Sequence, residues 1–157
     1  GLIFAAVLIF TGCSKDQDQD QDQNQTYVEL LGEGSWTVTS VTLNGVEMDV
    51  GGTFTEHTQT YEECEVKDGD CNGSETFVIE LDDGAGTVTG GKTFTYRVHD
   101  EGTILTLTTL TTTFDGVIYD CETDCVFVFD IVEITEDKHV LSHTDANGDV
   151  WVRTIEK

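Results

Sequence analysis

The 157-residue chain has no proline, one methionine and only seven lysine and arginine residues. Against those seven stand 31 acidic residues, for a formal charge of −24. Nucleic-acid binding relies on Lys and Arg to displace counterions from phosphates, so this composition excludes a nucleic-acid partner. The same charge would be repelled by an anionic membrane surface, so membrane attachment would have to come from something other than charge. No apolar run is long enough to cross a bilayer. Nine residues, Leu2 to Phe10, make the first such run, and at about 1.5 Å per helical residue they fall far short of a core of about 30 Å. Long Ala/Leu/Glu/Lys stretches are also missing, and with them any convincing helix. Abundant Thr and frequent Gly point instead to strands joined by tight turns. There is no G-x-S-x-G, no H-E-x-x-H and no phosphate-binding loop, and carboxylate pairs are too common to mark a glycosidase site. Neither catalysis nor a cofactor is expected.

What is present begins with the sequence LIFAAVLIFTGCSKDQDQDQDQNQ. An apolar run of this length, closed by a small residue, matches the h-region of an export signal. Phe10-Thr11-Gly12-Cys13 resembles the lipobox of bacterial lipoproteins. That resemblance implies a signal peptide over 1–12, cut before a Cys13 that carries diacylglycerol. With no positive n-region and no initiator Met, the signal is expected to be truncated at its start. Ser14 after the cysteine implies the outer membrane. Lys15-Asp16 and the acids that follow resemble the export signal of surface-exposed lipoproteins. Residues 13–25 then form an acidic tether. It has no apolar side chains to bury and cannot offset the entropy of ordering itself.

With Cys13 assigned to the lipid, Cys64, Cys71, Cys121 and Cys125 remain. An even number in an exported chain reads as two disulfides, with three connectivities open. Sequence proximity favours Cys64–Cys71 and Cys121–Cys125, each stapling a short acidic loop. A bridge between the loops, such as Cys64–Cys125, remains an alternative. The spacings C-x6-C and C-x3-C are not those of zinc sites, and no metal is expected.

Residues 26–157 form one domain. Tyr27 to Leu31 reads as one helical turn or a lead-in strand. Ser35 to Leu43 alternates, with a parity shift between Val38 and Val41 that predicts a bulge. Asn44-Gly45 then predicts a hairpin. Further strands are expected at 46–50, 53–61, 76–81, 93–99, 103–113, 126–135, 139–143 and 150–155. Val128, Val132 and Ile134 make the second face of the 126–135 strand apolar, which suggests cover on both sides. Eight to ten strands with short turns predict an all-β, antiparallel up-and-down meander, closed as a barrel or folded as a β-sandwich.

The stretch LLGEGSWTVTSVTLNG, Leu30 to Gly45, resembles the opening of bacterial lipocalin-like lipoprotein domains. The segments around Tyr96-Arg97-Val98, Leu105 to Leu107 and Ile134 to Ser142 are similar to later strands of that family. The resemblance implies a lipocalin-like barrel in which Arg153, on the last strand, packs over Trp36 and closes the base. Phe77, Phe94, Tyr96, Phe127 and Phe129 would face inward. They would either line a pocket for a small apolar ligand or fill the barrel themselves. The first reading makes the protein a monomeric, outer-membrane-anchored binding barrel. The alternative is a structural or adhesive surface module that meets protein or glycan through its acidic loops and has no cavity. Asp145-Ala146-Asn147-Gly148-Asp149 has part of a calcium-loop spacing, but a strand resumes at Val150, which favours a plain hairpin turn. His57, His99, His139 and His143 are expected at the surface, with His139 and His143 on one strand face.

Overall fold

The computed structural model describes residues 25–32, 34–65, 70–82, 84–99 and 102–157. The expected signal, Cys13 and the tether up to residue 24 lie outside these. A short helix, α1, spans 25–32. The strands are β1 (Ser35–Leu43), β2 (Val46–Glu47), β3 (Gly52–Tyr61), β4 (Cys71–Leu81), β5 (Thr87–His99), β6 (Ile104–Phe114), β7 (Val117–Asp120), β8 (Val126–Ile134), β9 (Lys138–Thr144) and β10 (Val150–Glu156).

Every pairing is antiparallel and follows chain order through β1-β3-β4-β5-β6-β8-β9-β10. The β10–β1 pairing closes these eight strands into an up-and-down barrel. A closed barrel rules out the sandwich. The two remaining strands are hairpin extensions: β2 pairs with β1, and β7 pairs with β6 alone. Closure removes the free edges that a Thr/Val-rich sheet would otherwise expose.

Sequence chemistry accounts for the turns and bends. Asn44 (φ 52°) and Gly45 (φ 79°) are both left-handed. A two-residue hairpin needs that conformation for its twist to match that of the flanking strands. Asp115 (φ 46°) and Gly116 (φ 81°) repeat the arrangement between β6 and β7. The expected bulge in β1 is there, between Val38 and Ser40 opposite β10. It returns Val41 to the inside. A second bulge shifts the register between Ile131 and Glu133 of β8. It corrects the expectation of a strand covered on both faces. Ile131 and Ile134 both pack on the core, while Val128 and Val132 stay exposed.

One end of the barrel is sealed by side chains. Trp36, Tyr61, Phe94, Tyr96, Leu105, Leu141 and Ile155 are buried there. Tyr61 meets Phe94 and Tyr96 edge-on, at centroid distances of 5.8 and 5.1 Å. Gly73 is the cross-strand partner of Phe94, and a Cβ at Gly73 would run into the Phe94 ring. Helix α1 lies under this end. Val28 and Leu31, three residues apart on one face, enter the core. The Trp36 indole N–H donates to the Leu31 carbonyl at 2.8 Å, satisfying an acceptor that the helix end leaves open. An eight-residue helix is marginal by itself, so docking against the barrel is what holds it. This corrects the reading of 27–31 as a single turn or a strand.

The disulfides are Cys64–Cys71 and Cys121–Cys125, the nearest-neighbour pairing. Cys64–Cys71 ties the ends of β3 and β4 together at the sealed base, with Cys71 buried. In the chain-entropy picture a loop of this size contributes about 2–3 kcal/mol.

Candidate ligand-binding site

Above the packed end, the barrel interior changes character. Gln59, Glu75 and Lys92 are successive cross-strand partners on β3, β4 and β5. All point inward at one height, and Arg153 reaches them from β10. The Glu75 carboxylate organises the layer. Its Oε2 accepts from Arg153 Nη1 at 2.8 Å, from Lys92 Nζ at 3.2 Å and from Gln59 Nε2 at 3.3 Å. Its Oε1 lies 2.8 Å from His57 Nε2. An ionised carboxylate only accepts, so Nε2 of His57 carries the proton. Tyr61 closes the network from below, donating its hydroxyl to Gln59 Oε1 at 3.0 Å.

The electrostatics follow from that geometry. Burial by itself would raise the Glu75 carboxyl. Arg153, the His57 hydrogen bond and Lys92 outweigh it and hold the group well below the usual carboxylate range. Burial pushes Lys92 down, with Glu75 opposing. The first carboxylate oxygen is engaged by His57 and the second by Arg153, Lys92 and Gln59. The His57–Glu75 pair is thus part of a larger network of charged and polar side chains.

This layer is the floor of two cavities at the open end. One, of about 370 Å³, is lined by Val41, Leu107, Phe127, Phe129, His143, Asp145, Trp151 and Val152, with Lys92 and Arg153. The other, of about 350 Å³, is lined by Val38, Val41, Met48, Val50, Phe54 and Phe77 among others, with His57, Glu75 and Arg153. Both reach Val41 and Arg153, so they adjoin at that arginine. Each falls within the usual range for small-molecule pockets of about 300–1,000 Å³.

The five aromatic candidates therefore divide. Phe127 and Phe129 line the first cavity and Phe77 the second. Phe94 and Tyr96 belong to the packed base, and Tyr96 donates its hydroxyl to the Glu62 carbonyl at 2.7 Å. Trp36 is a base plug, but the cation over its ring is Lys157, 4.7 Å from the centroid. Arg153 does not fill the role the resemblance gave it, because the buried Glu75 carboxylate holds its guanidinium in the interior.

The histidines also depart from expectation. His57 and His139 are buried, not at the surface. His139 sits in the base, edge-on to Trp36 at 6.1 Å and to Tyr61 at 6.2 Å. Neither of its ring nitrogens has a protein hydrogen-bond partner. Burial first, and then the Arg153 charge, lower its pKa to about 4. His143 lines the first cavity, with Nδ1 donating to the Val128 carbonyl at 2.8 Å.

The 145–149 segment is a hairpin turn. Asp145 Oδ1 accepts from the backbone N–H of Asn147 at 2.8 Å and of Asp149 at 3.1 Å, so this carboxylate oxygen serves the turn itself. Among the described residues, no group of three or more His, Cys, Asp or Glu is placed to hold a metal ion.

Glu75, Lys92, His57 and Gln59 were not anticipated from the sequence. The signal was parity: Glu75 shares a strand face with Phe77, Lys92 with Phe94, and His57 and Gln59 with Tyr61. No protein-family model matches the chain, and no curated protein matches its sequence.

Proposed function

We propose that this is an outer-membrane-anchored lipoprotein whose lipocalin-like barrel binds a small apolar ligand at its mouth. One observation carries the binding half of the reading: the barrel is packed at one end and hollow at the other, with aromatic and aliphatic walls over a polar floor. A barrel of eight strands is just wide enough to hold one small ligand. The lipobox-like Phe10-Thr11-Gly12-Cys13 supports the anchored half, as does the lipocalin-like opening from Leu30 to Gly45. The protein acts as a monomer and faces the periplasm or the cell surface.

Native mass spectrometry of the intact protein tests the binding half. A mass excess that is lost on denaturation, and that matches an extractable apolar compound, is the expected result. A bare mass with no uptake of apolar probes would sink it. Anchoring has its own check. Cys13→Ala should move the protein from the membrane fraction to the soluble fraction, and persistent membrane attachment would overturn the lipoprotein reading.

A further inference from the structure

We infer that the cavity selects an amphipathic monoanion, with a carboxylate head seated on Lys92 and Arg153 and a single apolar tail along the barrel wall. This rests on the ligand-binding reading above and names the class of ligand for it.

The first argument is charge. The chain has seven Lys and Arg residues against 31 acids, yet it places two of the seven, Lys92 and Arg153, on the floor of one cavity. A single buried acid, Glu75, answers both. On the floor itself, two cations therefore face one carboxylate, a surplus of one positive charge among the three. The other carboxylates that line the two cavities keep their charge, but each is tied into local hydrogen bonds of its own segment and neither pairs with Lys92 or Arg153. Asp145 Oδ1 takes two backbone N–H groups of its own turn. Glu47 takes the Ser40 hydroxyl at 2.8 Å and the Val41 N–H at 3.2 Å.

The second argument is the number of donors. Lys has three N–H donors and Arg five, and Glu75 uses one from each. Both side chains line the cavity with donors left over. A carboxylate placed between them would gain charge-assisted bonds where water is scarce, and there such bonds are strong. It would also favour the charged form of Lys92, which burial currently penalises. A phosphate monoester, at roughly −1.5 to −2 near neutral pH, would overshoot the single surplus charge.

The third argument is the wall. Leu107, Phe127, Phe129 and Val152 offer apolar surface beside the cationic floor. Head and tail sites are thus adjacent in one space, an arrangement that suits an amphiphile better than a wholly apolar molecule.

The test is titration calorimetry on the full chain, after any co-purified ligand has been stripped on a hydrophobic resin. Three probes of equal tail length are compared: decanoate, decan-1-ol and decylammonium. Decanoate should bind about tenfold or more tighter than the alcohol, with the cation weakest. Lys92→Met keeps the apolar stem but removes one of the two cations, and should cut the preference for decanoate over the alcohol severalfold. If the alcohol equals decanoate, or the cation binds best, the inference falls and the binding barrel stands. If none of the three binds, both fall. The ranking on the unmodified protein needs no variant, so poor folding of Lys92→Met would not shield the inference.

Discussion

Between pH 6.5 and pH 4.5 the protein should lose about 2–3 kcal/mol of unfolding free energy through one side chain, His139. The ring is fully buried beside Trp36 and Tyr61 and has no protein partner for either nitrogen. Its folded pKa is lowered from 6.5 to about 4. Above pH 6.5 the ring is neutral in both folded and unfolded chains and contributes no pH dependence. Below it, the unfolded chain takes up a proton that the folded chain refuses, so stability falls as pH falls. The loss runs at up to about 1.4 kcal/mol per pH unit until the folded pKa is reached. Glu75 acts in the same direction, but only below its ordinary pKa of 4.5, which leaves the upper window to His139. His139→Leu should flatten this slope. It should also be neutral or stabilising at pH 7, because it removes unsatisfied buried polar atoms. Urea unfolding of both proteins at pH 7.0, 5.5 and 4.5 measures it. Parallel pH profiles for the two proteins would overturn the assignment.

The second large effect belongs to Glu75. Replacing it with Leu leaves Lys92 and Arg153 facing one another inside the barrel with no counter-charge, and leaves His57 and Gln59 without their acceptor. Breaking a buried ion network by removing one partner costs about 3–5 kcal/mol. The Lys92 side chain is 25% exposed to the cavity, so the lower end of that range is expected. The loss should not grow when the cations are removed as well. Glu75→Leu combined with Lys92→Met and Arg153→Leu should recover most of it, because an apolar layer of similar volume carries no desolvation penalty. Denaturant unfolding of the single and triple variants separates the alternatives. A single variant within about 1 kcal/mol of the parent would mean that the network carries no structural weight.

The barrel itself was legible in the sequence. Alternation placed nearly every strand, Asn44-Gly45 placed a hairpin, and the parity slip after Val38 placed a bulge, because side-chain period and turn chemistry are local properties. The polar floor was not legible, although each of its members sits on the inner face of its strand. What brings Gln59, Glu75 and Lys92 to one height is register, and what brings Arg153 to them is closure of β10 onto β1. Neither is a local property. Arg153 shows the difference: a motif-based role put it over Trp36, but a buried carboxylate outcompetes an aromatic face for a guanidinium. Helix α1 was missed for a related reason. A stretch of eight residues has almost no helical preference alone, and its conformation is set by the barrel floor that Val28 and Leu31 cover.

The position of α1 also gives the molecule a polarity. Gln25 lies at the sealed base, its side-chain amide donating to the Cys64 carbonyl at 3.4 Å. The polypeptide therefore joins the barrel on the side away from the cavities. Whatever enters the two cavities therefore comes through the mouth opposite α1, without passing the point at which the chain joins the barrel.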